Sequence, residues 1–318
     1  MGSVLVAQNG RILLDKGYGF ANLERRIRND PSTKFRLGSL TKQFTAASIL
    51  LLEERGKLSV DDPIKKFLPD APAAWDKITI FNLLTHTSGI PNDTEFPEFA
   101  ASMKLPTTPE KLIAQFRDKP LDFQPGQDWR YSNSGYILLG YLIEKLSGQS
   151  YTQFLQENIF TPLGMKDSGY DTESVTISNR AAGYKKGTLA DAEYINMSQP
   201  FSAGGLYSTT EDLLRWERGL FGGAVLSPNS LKKMTTAYKS DYAFGLWSRE
   251  RSEHRVMEHG GGINGFRSWL AYYPKDNLTI VVLGNVEDGP SDDIAANLAS
   301  LAFGKGVLMF FDPTTSFP

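Results

Sequence analysis

Apolar residues group differently along this chain: short strand-like runs at both ends, and helical spacing through the middle. Val4 to Ala7 and Arg11 to Gly19 flank Asn9-Gly10, a dipeptide that strongly marks a tight hairpin. From Ser39 to Arg55 the apolar positions (Leu40, Phe44, Ala46, Ala47 and Ile49 to Leu52) wrap most of a helical circumference, with Gly56 placed to end the helix. A helix apolar nearly all round is a buried one. From about Pro63 to Leu231 the spacing predicts helices over Ile80–Leu84, Pro109–Phe116, Tyr136–Leu146, Tyr151–Ile159 and Thr210–Leu220, punctuated by prolines and glycines. Beyond Ala237 strands are expected over Ala243–Ser248, Arg255–Glu258, Phe266–Tyr273 and Leu278–Leu283, then a closing helix over Asp292–Phe303. One antiparallel sheet assembled from both chain ends and flanked by helices accounts for this order. The fold class is therefore α/β in the α+β sense.

Composition narrows the function. A net charge of −2 over 318 residues gives no footprint for nucleic acid or anionic lipid. With no cysteine, thiolate nucleophiles and cysteine-ligated metals are excluded; the three histidines (His86, His254, His259) form no HExxH pattern, so neither metal nor other cofactor is expected. No apolar run reaches the roughly 20 residues of a membrane span. Met1-Gly2-Ser3 leads straight into a strand without signal-peptide layout. A periplasmic or secreted location fits if an export signal has been removed, and a cytoplasmic one otherwise.

Three polar signatures carry chemistry: Ser39-Leu40-Thr41-Lys42, Tyr131-Ser132-Asn133 and His259-Gly260-Gly261. Each is weak alone, since Ser230-Leu231-Lys232-Lys233 and Tyr194-Ile195-Asn196 repeat the first two by chance. Context separates them. Ser39 opens the buried helix, where backbone N–H groups favour developing negative charge. Lys42 lies one turn along the same face, where burial would either depress its pKa and let it act as a base or leave it charged to depress a partner's pKa. A helix cap and a surface lysine would explain the pair equally well in a polar helix. Tyr131 and Asn133, two residues apart after the Pro125-Gly126 turn, point a phenol and an amide the same way: the phenol to shuttle a proton, the amide to hold Lys42 and the substrate. The glycines after His259 mark a strand edge that a ligand approaches closely, and the N–H groups of Ser39 and Gly262 form the natural oxyanion pair. His86, near the end of a helix, is read as structural, favoured by the helix dipole. No Gly-x-Ser-x-Gly elbow is present.

On these stretches, together with Leu83 to Gly89, Gly204 to Ser208 and His259 to Phe266, the chain resembles the serine β-lactamase-like superfamily, in the branch of class C β-lactamases, penicillin-binding proteins, D-peptidases and family VIII esterases. The resemblance implies a sheet domain (1–62 and 237–318) with an inserted helical domain (63–236) and an active site in the crevice between them. It implies acylation of Ser39, with Lys42 and Tyr131 as the base pair and Asn133, His259, Gly260 and Gly261 in substrate binding. The expected activity is a serine hydrolase on small carboxylic esters or D-amino-acid amides and peptides; the alternative is a penicillin-binding or sensing protein that acylates without useful turnover. Where class C enzymes carry Lys-Thr-Gly, this chain has His259-Gly260-Gly261, so weak β-lactam turnover is expected. Activity is also expected to vary between about pH 6 and 8 as His259 titrates. Phe201, Tyr242, Phe244 and Trp247 are candidates for an acyl pocket or for the core, and Arg267 for a substrate carboxylate or for solvent. The apolar tail Val307 to Phe311 is expected to pack on the body.

Overall fold

The computed structural model describes residues 1–172, 175–251 and 253–305; the apolar tail at Val307 to Phe311 lies outside them. Strands β1 (Gly2–Gln8) and β2 (Arg11–Tyr18) form the expected hairpin, with Gly10 at φ +76° in its turn. The buried helix α1 (Thr41–Glu54) follows a single 3-10 turn over Gly38–Leu40, and every residue from Thr41 to Leu52 is buried. The central helix α2 (Asn133–Ser147) ends on left-handed Gly148, and α3 (Thr210–Phe221) is capped by the Thr209 side chain. Strands β3 (Trp247–Arg251), β4 (His254–Ile263), β5 (Phe266–Tyr273) and β6 (Leu278–Gly284) precede the closing helix α4 (Ser291–Ala302).

These six strands make one sheet in the order β2-β1-β6-β5-β4-β3, antiparallel throughout, so the two chain ends meet where β1 pairs β6 (Val4 with Val282). Side chains alternate across it as the pleat requires. Leu5, Ala7, Leu270, Val281 and Leu283 face the main core with α1, while Val6, Ala271, Ile280 and Val282 face α4. Helix α1 is thus enclosed between the sheet and α2, and Phe44 stacks on Trp216 of α3 at 4.2 Å. Helix α3, within the stretch read as helical, lies on β1 and β6.

Three expectations are corrected. The run Ala243 to Leu246 is a buried turn, not a strand: Gly245 at φ +73° packs on the Lys42 carbonyl, and strand pairing covers Trp247–Arg251. Strand β4 does not stop at Glu258 but continues through His259 and the three glycines to Ile263, because Gly260, Gly261 and Gly262 pair in register with Trp269, Ser268 and Arg267. The helix expected over Tyr151–Ile159 is α-helical to Leu155 and closes in a π turn over Gln156–Phe160. Among the described residues no helix is long and apolar enough to cross a membrane.

Candidate active site

Glycine allows the two halves of the site to touch. Gly38, at φ +54°, precedes Ser39, and a Cβ there would come within 2.8 Å of the Gly262 carbonyl oxygen. A Cβ on Gly261 would overlap the Leu37 carbonyl oxygen, which the Ser268 hydroxyl also reaches at 2.7 Å. The turn that carries Ser39 is therefore laid directly against strand β4. Ser39 and Gly262 line one cavity of about 220 Å³, with Asn133 on its other wall.

Lys42 is fully buried. Its Nζ lies 3.1 Å from Ser39 Oγ and donates to Asn133 Oδ1 (2.7 Å) and to the Ala203 carbonyl (2.9 Å). Burial holds its pKa well below the usual lysine value, opposed by the charge of Asp93. With two N–H groups committed, a neutral amine presents its lone pair to the Ser39 hydroxyl. Tyr131 is hydrogen-bonded to Ser39, and burial raises its pKa, so it stays a phenol. The Lys42 nitrogen sits 4.8 Å from the centre of the Tyr131 ring. The structure thus gathers Ser39, Lys42, Tyr131 and Asn133 at hydrogen-bonding range, with Gly262 on the facing wall.

His259 stands close by, its ring centre 6.3 Å from that of Tyr131 and 4.6 Å from that of Trp247. It is 2% exposed and lines no part of the cavity; its Nδ1 is 2.5 Å from the Gly260 carbonyl and its Nε2 3.2 Å from the Tyr242 hydroxyl. Burial, reinforced by Lys42, pushes its pKa down to about 3. The expected titration between pH 6 and 8 is therefore corrected: His259 is a neutral ring over that range. Gly260 packs against the Trp269 ring and Gly261 against the turn, so both shape β4 rather than border the cavity. His86 is structural, for a different reason than the helix dipole. Its pKa is also pushed well down by burial; the neutral ring accepts the Ser132 N–H at Nδ1 (3.2 Å) and lies tilted against the Tyr131 ring, with centres 4.3 Å apart.

The acyl-pocket candidates fall outside the cavity. Phe201, Tyr242 and Phe244 are buried in the core, and Trp247 stacks parallel to Tyr131. The apolar wall comes instead from Phe99, Ile137, Ile195 and Ile263. Arg267 pairs with Gly262 across the sheet and is not on the cavity wall. The residue that sequence reasoning missed is Asp93. It is 3% exposed, lines the cavity, receives hydrogen bonds from Ser134 and the backbone, and is raised by burial to about 6. Its signal was faint: a polar Asn92-Asp93-Thr94 run after Pro91. Asn92 accepts the Asn133 N–H at 2.9 Å and Thr94 accepts from the Asn133 side chain at 3.3 Å, so this loop positions Asn133.

A family model described as Beta-lactamase matches residues 2–304. The chain belongs to that family. It is 35% identical over 287 residues to PbpX, a Bacillus subtilis (strain 168) protein classed with the penicillin-binding proteins, covering 89% of this chain and 69% of that one. It spans 59% of Protein flp from Staphylococcus aureus (strain MW2), at 31% identity and 89% of this chain. Among solved structures, the octameric penicillin-binding protein homologue from Pyrococcus abyssi superposes with a TM-score of 0.87 at 31% identity, over 96% of this chain and 73% of that one. A D-stereospecific amidohydrolase from Streptomyces sp. superposes with a TM-score of 0.80 at 27% identity, over 95% and 93%. The fold is that of the β-lactamase and penicillin-binding protein family, and kinship with both groups supports a serine hydrolase in general.

Proposed function

We propose that this protein hydrolyses amides of apolar D-amino acids through an acyl-enzyme on Ser39, with small esters as secondary substrates. The observation that carries this reading is the fully buried Lys42 amine, 3.1 Å from Ser39 Oγ and held well below its usual pKa. Lys42 takes the Ser39 proton as Oγ bonds to the substrate carbonyl carbon. The oxyanion is held by the N–H groups of Ser39 and Gly262. As the bond to the leaving amine breaks, the Tyr131 hydroxyl gives it a proton and is replenished from the Lys42 ammonium. Water then repeats the sequence on the acyl-enzyme. The substrate class rests on charge. Among the described residues lining the cavity Asp93 is the only charged one, set among Phe99, Ile137, Ile195 and Ile263. An ionised Asp93 favours a free ammonium beside an apolar side chain, and no lysine or arginine on the wall waits for a substrate carboxylate. That disfavours carboxypeptidase action and efficient β-lactam turnover. The Streptomyces amidohydrolase named for D-stereospecificity supports the stereochemical choice.

The second reading, a penicillin-binding protein that acylates without turnover, draws on the relatives named for penicillin binding. Assay of D- and L-phenylalanine amide beside p-nitrophenyl acetate, with mass spectrometry after benzylpenicillin, separates the two. Turnover of the D-amide lost in Ser39→Ala supports the first; a stable penicillin adduct on Ser39 with no amide or ester turnover supports the second and overturns the first.

A further inference from the structure

A second cavity lies on the far side of the main core, beneath helix α3. Its volume is about 250 Å³, and it shares no residue with the cavity of Ser39. Its floor is Ala7, Thr279 and Tyr272, which stand side by side on β1, β6 and β5 by register. Its roof is α3, which turns Glu217 and Phe221 into it. Glu217 is 2% exposed, and its Oε2 is fully buried with no hydrogen-bond partner in the protein.

A buried carboxyl oxygen without a donor is costly, since transfer from water forfeits hydrogen bonds that nothing replaces. Here the deficit is specific. The other polar residues that line it include Tyr272, Thr279 and Asn277, and none of them donates to the buried Glu217 oxygen. The remaining ionisable neighbours on the wall are Arg218, on the same helix, and Tyr272. Arg218 is exposed and its Nη2 donates at 2.8 Å to the carbonyl of Gly10, which lines the same cavity, and leaves the buried Glu217 oxygen without a donor. Tyr272 is kept a phenol by burial and by its closeness to Glu217. Among the described residues no cation is paired with Glu217, although Arg218 lies on the same wall. Phe221 and Tyr272, with ring centres 4.3 Å apart, supply an aromatic wall for an alkyl stem. Among the described residues no group of three or more carboxylates or histidines stands together to hold a metal ion.

We propose that this cavity binds a primary alkylammonium group, whose N–H donors pair with the Glu217 carboxylate while its chain lies along Phe221 and Tyr272. Burial raises the Glu217 pKa to about 8, so at neutral pH the empty site holds a proton that the incoming cation displaces to solvent. A free amine and a lysine side chain share this chemistry, and two probes distinguish these sources.

The test is titration calorimetry of n-butylammonium, and separately of Nα-acetyl-lysine amide, into the full chain at pH 7 in buffers of differing ionisation enthalpy. The expected result is saturable binding of at least one probe with release of about one proton per ligand. In an Asp93→Asn background, where an ammonium held in the Ser39 cavity no longer contributes, adding Glu217→Gln should lower the affinity by at least about tenfold. Because a substitution in the core can disturb folding, a 13C-detected titration of the Glu217 carboxyl in the wild type is read alongside. Its pKa should fall on saturation with the probe. Binding by the butyl probe alone assigns the site to free amines, and binding by the lysine amide assigns it to side chains. Failure of both probes to bind, binding unaltered by Glu217→Gln in that background, or a Glu217 pKa unmoved by the ligand would each overturn the proposal.

Discussion

Removing a buried amine from an active site and removing a buried histidine beside it should have opposite consequences here. On the proposed mechanism, Lys42→Ala leaves Ser39 without a base, and acyl transfer should fall by about 10²- to 10⁴-fold. His259→Asn should leave the shape of the pH–rate profile between pH 6 and 8 unchanged, because the ring is already neutral throughout that range. A profile whose midpoint moves in His259→Asn would restore the histidine to the chemistry. Asp93 supplies the pH dependence instead. Its pKa is raised to about 6, so it is ionised above that pH and protonated below it. Loss of that charge as pH falls should reduce kcat/KM for a substrate bearing an ammonium and spare a neutral ester. The ratio of D-phenylalanine amide to p-nitrophenyl acetate turnover should therefore decline below about pH 6 in the wild type and stay flat in Asp93→Asn. Taking the ratio cancels the protonation of Lys42, which affects both substrates alike.

At the scale of elements, the site depends on one contact: the turn before α1 lying against β4. Gly261 faces the Leu37 carbonyl with no room for a methyl group, so Gly261→Ala must push the strand from the turn. The expected cost is about 1–3 kcal/mol, read as a lowered Tm, together with loss of acylation as Ser39 and Gly262 separate. Retained Tm and activity would show that the contact is looser than described. This contact also marks where the sequence stops being legible. The hairpin, the buried helix, Pro109–Phe116 and Phe266–Tyr273 could all be read from apolar spacing and turn residues, because local pattern alone dictates them. The glycines after His259 could be read as a close approach, but not as the middle of a strand; glycine has poor strand propensity, and only pairing with Trp269, Ser268 and Arg267 overrides it. Ala243 to Leu246 misled in the opposite sense: an apolar run suggests a strand, yet Gly245 needs positive φ and turns the chain beneath Lys42. Ser39, Lys42, Tyr131 and Asn133 were visible as motifs. Asp93 was not, because its approach to Lys42 is made by a loop whose path no periodicity encodes.

Lys42, Asp93 and Glu217 are among the buried titratable groups of the described residues, and each tilts the stability with pH. Glu217 has the plainest sign. Its folded pKa, about 8, lies above the 4.5 of an exposed glutamate, so the native state retains a proton that the unfolded chain releases. Stability from this group is complete below about pH 4.5 and declines by up to about 1.4 kcal/mol per pH unit until about pH 8. Glu217→Gln should abolish that decline and unfold at higher denaturant than wild type at pH 7.5; equal midpoints at pH 7.5 would mean the carboxyl has found a partner. On the proposed function, the sheet built from both chain ends and the helices around it serve to hold one hydroxyl against one buried amine. The most direct test of that claim is peptide mapping by mass spectrometry after millisecond exposure to p-nitrophenyl acetate, in wild type, Ser39→Ala and Lys42→Ala. The account predicts an acetyl group on Ser39 in wild type, none in Ser39→Ala, and formation slowed by about 10²-fold or more in Lys42→Ala. Acetylation at another residue, or an undiminished rate on Ser39 without Lys42, would contradict it.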